Sequence, residues 1–376
     1  LARLCGGLPI ALRVCGARLV TRRRQAIGRL SAELADEERR LARLTAEGRP
    51  VVEAVFDAAY ADLPPGAAAL YRALGAFPGP DFSAELCELI TDGEAGAEDE
   101  AGADGPGGDD ALDALLESSL LEEVDEARYR FHDLVRLHAQ SVADESRDLR
   151  RRFATWYLRE VQAADWAVLG RRLRVSAPPE PAEKRDGALA WLETENANIL
   201  AVVRMAAAER WDELVWRFAE SLWALYDSHA HPADELEVAR LGLASARHLD
   251  DDVAEARMHT LLVRALLRGG KLDEAAAELP ALTRLGEAIT AVDVGDEDAE
   301  GMRRRVNAGI VEAVGIVRQR QGDHEAAVAA FRRSRDVNVD LRNWRGAALH
   351  GYLLAGALVA AGRHAEAVSE LATAAR

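Results

Sequence analysis

The sequence predicts a mostly α-helical protein in which helices and one small β-hairpin are followed by a solenoid of paired helices. First, Ala and Leu dominate the 376 residues while aromatic residues make up 5%, a composition that favours helices. Second, Tyr129 and Phe131 recur at the period of two that is typical of a strand. Third, Gly270, Gly322 and Gly362 each precede a similar pattern of small and large residues, which indicates a helical repeat.

Length, charge and cysteine content narrow the classes of protein. The chain is long enough for two or three domains of roughly 100–150 residues each. Its net charge of −17 argues against a surface built wholly for nucleic acid, although a local basic face stays open. Three cysteines without zinc-ligand spacing fit a reducing compartment, and no apolar run approaches the roughly 18 residues of a membrane span. We therefore expect a cytoplasmic protein.

Residues 1–48 are predicted to be helical. One helix follows Gly6-Gly7 and Pro9, and a second runs from about Gln25 to Ala35. The basic run Arg22–Arg24 lies between them. It is either a phosphate-contact or docking patch or a solvated turn, and the residues leave both interpretations open.

Residues 49–146 carry the pattern of a winged helix. Amphipathic helices are predicted from Val51 to the Leu63-Pro64-Pro65 sequence and from Phe82-Ser83 onward, with another between them. Residues 92–110 have no apolar periodicity and no positive charge, so we interpret them as a flexible acidic insertion. They contain acids without the ligand spacing of a calcium loop.

The helix that would enter a DNA groove, residues 110–119, precedes the hairpin. It contains acidic residues and no Arg or Lys, and it would therefore repel phosphate. We expect this winged helix to be structural, which makes direct DNA binding by the chain the weaker alternative.

The hairpin and the helix after it place one histidine at a junction. Leu120–Val124 and Arg128–Phe131 flank a turn, and a helix is predicted to follow with Asp133 as its cap. His132 thus lies where a strand meets a helix N-terminus, whose free N–H groups and dipole favour an anion such as phosphate. The alternative is a histidine that only satisfies a carbonyl group.

Residues 147–376 are predicted to form a helical linker and then the repeats. Paired helices begin near Trp191 and include one from Trp211 to Tyr226. The sequence His229-Ala230-His231 lies in a loop without an obvious third ligand. We therefore interpret it as a turn between helices and predict no metal site.

Two positions in each repeat are held mostly by small residues, which let the two helices of a hairpin approach each other. The first lies five residues after each turn glycine: Ala275, Ala327 and Ala367. The second lies twelve residues earlier: Val263, Gly315 and Ala355. This pattern resembles the tetratricopeptide repeat. The period is longer than the standard one, in part because of an acidic loop at 290–299.

Three motifs in register over about the first 145 residues resemble the NB-ARC nucleotide switches, a branch of the STAND ATPases. Phe131-His132-Asp133-Leu134 is similar to the histidine-aspartate motif that ends the winged-helix subdomain of that family. The segment from Cys5 to Leu12 is similar to the glycine-leucine-proline-leucine motif of its helical subdomain, with Ile10 in place of the last leucine. Residues 60–65 and 74–81 resemble the intervening segments in actinobacterial regulators of antibiotic pathways.

The resemblance implies a cofactor and its contacts. Pro9 would lie against the adenine ring and His132 would reach the β-phosphate of ADP, while Asp133 would cap the following helix. The cofactor is ADP or ATP in the parent protein, and whether this fragment binds it alone stays open. No Gly-x-x-x-x-Gly-Lys-Ser/Thr motif occurs, so we predict no catalytic residues, no enzyme activity of this chain alone, and half of a nucleotide site.

The expected function is that of a regulatory and sensor fragment of a STAND signalling ATPase or transcriptional regulator. The repeats would bind a protein or small effector, and activation could involve oligomerisation. The alternatives are a tetratricopeptide scaffold for protein interactions and a winged-helix DNA-binding protein. The start at Leu1 without an initiator Met, and the end directly after a repeat, predict a fragment of a longer chain with further repeats.

Overall fold

The computed structural model describes residues 2–5, 12, 15–16, 19, 26–35, 51–95, 108–144, 146–170, 172–176, 187–291 and 296–374. The chain divides into two compact units, Leu1–Phe153 and Ala154–Arg376. The predicted boundaries at residues 48 and 146 stay predictions. No described helix is long and apolar enough to cross a membrane.

The described part of the first unit combines helices with a small sheet. A 3-10 turn spans Arg3–Cys5, and the helices are α1 (Ile27–Leu34), α2 (Val51–Ala61), α3 (Pro65–Ala76), α4 (Ala84–Ala95), α5 (Gly108–Glu117) and α6 (Asp133–Ser141). The strands are β1 (Phe82–Ser83), β2 (Glu122–Asp125) and β3 (Arg128–Arg130). The predicted acidic insertion is therefore helical at both ends, and residues 96–107 lie outside the described part.

The sheet contains one strand more than the predicted hairpin. Its order is β1-β3-β2, with antiparallel pairing throughout. Phe82-Ser83 was expected to begin a helix, and this prediction was wrong because both residues pair with Tyr129 and Arg128 of β3. Helix α4 starts at Ala84, and Ser83 Oγ accepts a hydrogen bond of 3.2 Å from the Leu86 amide.

Aromatic rings join the sheet to the helices of this unit. Phe131 meets the rings of Phe82 and Tyr71 edge to face, with centroids 5.1 and 5.2 Å apart. Gly75 in α3 lies against α6 so closely that an added Cβ would stand 2.3 Å from the Ala139 carbonyl oxygen. A glycine is therefore required where these two helices cross.

The second unit is a run of antiparallel helical hairpins, which confirms the predicted helical solenoid. It follows the start of α7 (Arg147–Leu169) and contains α8 (Ala188–Ala208), α9 (Asp212–Ser221), α10 (Trp223–Ser228), α11 (Pro232–His248), α12 (Asp252–Arg268), α13 (Leu272–Ala277), α14 (Leu279–Ala291), α15 (Glu297–Arg320), α16 (His324–Asp340), α17 (Trp344–Ala360) and α18 (His364–Ala374). The predicted helix from Trp211 to Tyr226 is interrupted at Leu222.

The turns between these helices use the left-handed backbone region. The glycines that defined the repeat, Gly270, Gly322 and Gly362, have φ of +73°, +83° and +76°. Arg210, Asp250 and Arg342 adopt φ of +59°, +52° and +52° at further turns. A search of the sequence for turn glycines finds only the first three turns. Residues with side chains can adopt the same conformation at an energetic cost, so the other three turns contain no glycine that would reveal them.

Small residues allow the helices of a hairpin to pack closely, as the repeat pattern predicted. Ala275, Ala327 and Ala367 are buried. In α15, a Cβ added to Gly315 would stand 2.7 Å from Cε1 and 2.9 Å from Cδ1 of Phe331, whose ring is completely buried. The Phe331 ring therefore fills the space that a side chain at position 315 would occupy.

We expect Gly315→Ala to destabilise the protein by about 1–3 kcal/mol, because the enclosed Phe331 ring has no room to move. Gly356→Ala is the matched control, since Gly356 is also helical but has nothing within 4 Å of its added Cβ. The control should stabilise by about 0.5–1 kcal/mol. Urea unfolding followed by circular dichroism measures both, and equal effects would contradict this account of the packing.

Candidate functional site

His132 lies at the junction of β3 and α6, as predicted. It is the N-cap residue of α6, with φ −60° and ψ 149°, and no side chain caps this helix end. Asp133 is the first helical residue, so its predicted role as the cap was wrong. Its carboxylate instead lies in the first turn, where negative charge favours the helix dipole.

The His132 ring is accessible and already has an acidic partner. Its side chain is 42% exposed, and Nε2 lies 3.1 Å from Oε2 of Glu122 in the neighbouring strand β2. Arg130 forms an ion pair with the same carboxylate. An anion that approached His132 would therefore compete with Glu122, while Arg130 would remain available to that carboxylate.

Two arginines near the junction hold the segment before β1. The guanidinium of Arg136 donates to the carbonyl oxygens of Pro78, Gly79 and Pro80 at 3.3, 2.6 and 3.2 Å. Arg128 donates to Asp81 at 2.5 Å. Sequence analysis did not identify these side chains, because their partners lie 47 to 58 residues away.

Pro9 lies outside the described residues, as do Arg22–Arg24. The predicted pairing of Pro9 and His132 across one nucleotide therefore stays a prediction.

The histidine within α6, His138, has a structural role. His138 is completely buried, and its Nδ1 lies 2.8 Å from the hydroxyl oxygen of Tyr71 in α3. Its Nε2 lies 3.2 Å from Oδ1 of Asp57 in α2. Burial raises the pKa of Tyr71, so the phenol stays protonated. His138 thus links three helices, whereas His132 faces solvent.

In the second unit, a buried carboxylate holds a segment that is neither helix nor strand, residues 172–176. Glu220 in α9 is completely buried and accepts hydrogen bonds from the amides of Val175 and Ser176 at 2.9 Å, and from Ser176 Oγ at 2.7 Å. Arg257 in α12 donates to Glu220 at 3.0 Å. Backbone amides and one guanidinium together replace the water that this carboxylate loses.

Electrostatics favour the ionised form of Glu220. Desolvation by burial opposes ionisation, but Arg257, Arg172 and the amides of Ser176 and Val175 outweigh it, so the pKa of the carboxyl group is lowered. Burial also lowers the pKa of Arg257 to about 10, which leaves the guanidinium charged at neutral pH. The pair is therefore an ion pair shielded from solvent.

Three arginines of the second unit lie near the aromatic ring of Trp223. The guanidinium carbons of Arg264, Arg257 and Arg172 lie 4.4, 5.2 and 5.9 Å from the Trp223 ring centroid. Arg264 pairs with the buried Glu312 of α15, which lies 2.8 Å from Nε2 of His350 in α17. This network connects α9, α12, α15 and α17 by polar contacts.

The comparisons with known proteins agree with a regulatory class of protein. No protein-family model matches the chain. It is 33% identical over 351 residues to the regulatory protein AfsR of Streptomyces griseus and 34% identical over 302 residues to AfsR of Streptomyces coelicolor. These matches cover 87% and 75% of this chain but 33% and 29% of the relatives, so the chain spans about a third of their length. The predicted resemblance to actinobacterial regulators is confirmed.

A solved structure also matches most of the chain. It is a STAND protein with a tetratricopeptide repeat sensor from Pyrococcus horikoshii, 13% identical, and the match covers 93% of this chain and 63% of that one. The TM-score is 0.30.

We expect Arg257→Met to destabilise the protein by about 3–5 kcal/mol, because Glu220 would stay buried without its cationic partner. The wild-type contribution of Glu220 is present above the pKa of the unfolded carboxyl group, about 4.3, and is lost as the pH falls through the lowered folded-state pKa. Urea unfolding at pH 7 measures the loss.

The control is Arg204→Met, which breaks the Arg204–Glu237 pair on the surface of the same unit. That pair is worth about 1 kcal/mol or less, since both side chains are in water. Losses of similar size in the two variants would contradict a stabilising role for the buried charges.

Proposed function

We propose that the chain is the regulatory and sensor portion of a STAND-type NB-ARC transcriptional regulator. It would supply half of an ADP/ATP-responsive switch and a repeat unit that binds a protein or small effector. The observation that carries this proposal is the similarity to the regulatory protein AfsR over 87% of the chain. That similarity reaches into both units, so the switch half and the repeats would belong to one regulator.

The position of His132 supports the switch half of the proposal. Its imidazole is exposed beside a helix N-terminus that has no side-chain cap, and such a terminus favours a phosphate group. The β-phosphate of ADP would take the place of Glu122 as the partner of His132, while Pro9 would contact the adenine. ADP would then stabilise the closed form, and ATP or a repeat ligand would favour the open one.

Exposed apolar side chains support partner binding by the repeat unit. Trp344, Tyr352 and Val368, on α17 and α18, are 66%, 67% and 68% exposed. Contiguous patches of exposed apolar residues commonly mark interaction surfaces, and these three side chains would contribute to such a patch. The partner would be a protein or an effector with an apolar face.

ATP hydrolysis would belong to the parent protein and not to this chain. The two lysines, Lys184 and Lys271, both lack the surrounding sequence of a phosphate-binding loop. The parent regulator would act in the cytoplasm and assemble into oligomers when activated.

An inert scaffold is the second candidate, and the Glu122–His132 contact favours it. A histidine that serves only to pair with Glu122 would stabilise the junction of β2 and α6 without a ligand. The repeats would then act alone as a surface for protein interactions.

We expect His132→Ala to shorten ADP retention in the full-length protein that includes the upstream nucleotide-binding core. A hydrogen bond to a charged group contributes about 1.5–3 kcal/mol, so release should accelerate by a factor of about 10–150. Glu122→Gln should act in the opposite direction, because it removes the competing charge. Retention is measured by release of radiolabelled ADP into excess unlabelled nucleotide.

His248→Ala is the control, because His248 is also exposed and paired with a carboxylate, Asp212, but lies in the repeat unit. It should leave ADP release unchanged. Wild-type release rates in both His132→Ala and Glu122→Gln would overturn the switch role and support the scaffold.

A further inference from the structure

The loop between α10 and α11 presents two histidines to the same place. His229 has an extended backbone with φ −129° and ψ 145°, and His231 follows two residues later as the N-cap residue of α11. In extended backbone, residues two apart lie on the same side of the chain. The two imidazoles are therefore positioned to act on one group.

A glutamate from a distant helix completes the cluster. Oε2 of Glu193 in α8 lies 2.7 Å from Nδ1 of His229 and 2.8 Å from Nε2 of His231. The three side-chain atoms all lie within 4.8 Å of one another. Within the described residues, this is the one group of three His, Cys, Asp or Glu side chains that converges in this way.

We propose that Glu193, His229 and His231 form a binding site for a divalent transition-metal ion of the zinc class. Two imidazole nitrogens and one carboxylate oxygen are a ligand set that Zn²⁺ accepts, and three protein ligands leave a fourth position for water or an external ligand. The three side chains are 37%, 24% and 42% exposed in the order His229, His231 and Glu193, so an ion can reach them from solvent.

A bound ion would change the contacts of Glu193 with the two histidines. Ligands about 2.0–2.1 Å from a tetrahedral Zn²⁺ stand roughly 3.3 Å from one another. The present separations of 2.7 and 2.8 Å are hydrogen-bond distances. A bound ion would lengthen each of these two separations by about half an ångström, and the long, partly exposed Glu193 side chain can move to accommodate it.

A second carboxylate is placed behind one of the ligands. Oδ2 of Asp234 lies 3.9 Å from Nδ1 of His231, the ring nitrogen that points away from Glu193. Asn196 in α8 holds that oxygen with a hydrogen bond of 3.0 Å. Metal-binding histidines commonly direct the second ring nitrogen at a carboxylate, which orients the ring and increases its basicity. The charge of Asp234 also offsets the positive end of the α11 dipole beside the ion.

The site would also link two parts of the second unit. The bound ion would connect α8 to the loop before α11 and fix that hairpin.

The test titrates the untagged, reduced chain with ZnCl₂ by isothermal calorimetry. We expect one binding event that is weakened in His229→Ala, His231→Ala and Glu193→Gln by more than the roughly 10–100-fold that loss of an outer-shell partner costs. Asp234→Asn should weaken it by about 10–100-fold. All four side chains lie at the surface, and unchanged far-ultraviolet circular dichroism confirms that the variants fold.

The matched control is His248→Ala, whose imidazole pairs with one carboxylate and has no second histidine beside it. It should bind Zn²⁺ as the wild type does. A second measurement replaces Zn²⁺ with Co²⁺. The visible absorption bands of a tetrahedral Co²⁺ site should appear in the wild type and in His248→Ala but not in His229→Ala. Failure of the wild type to bind, or equal binding by the wild type and the three ligand variants, would overturn the proposal and leave an ordinary ion pair.

Discussion

The second unit depends on a carboxylate that is ionised and has no contact with water. Removing a charged group from water costs several kcal/mol, and Glu220 recovers that energy only if Arg257 and the amides of Val175 and Ser176 are all in place. Partial assembly would leave an unpaired charge. These contacts therefore restrict helices α9 and α12 and the segment 172–176 to one arrangement. Apolar packing alone would specify that arrangement less strictly.

Local signals in the sequence predict the helical part of the fold well. Glycines in the left-handed backbone region and small residues at helix crossings, such as Gly315 beside Phe331, occur at fixed spacing within each repeat, so the sequence reveals them. Features that depend on residues far away in the chain have no such pattern in the sequence. Phe82 became a strand residue because Tyr129 pairs with it 47 positions later, and Arg342 occupies a turn position that only its backbone conformation reveals.

In the candidate site, too, the sequence predicted local features but not contacts between distant residues. The alternation before His132 and the helical spacing after it were sufficient to place the histidine at the junction. The opposing carboxylate of Glu122 lies on a neighbouring strand, so only the fold could show that an anion must compete for the ring. Likewise, the sequence around His229 and His231 showed no third metal ligand. The fold brings Glu193 of α8 to them, although it lies 36 residues from His229 and 38 residues from His231 in the chain.

The two histidine clusters would use the imidazole ring in opposite ways. At His132 the ring would donate a hydrogen bond to a phosphate oxygen. At His229 and His231 the rings would offer nitrogen lone pairs to a metal ion. The acidic partner has a different effect on ligand binding in each cluster. Glu122 would compete with phosphate for His132, whereas Glu193 would bind the metal ion together with the histidines.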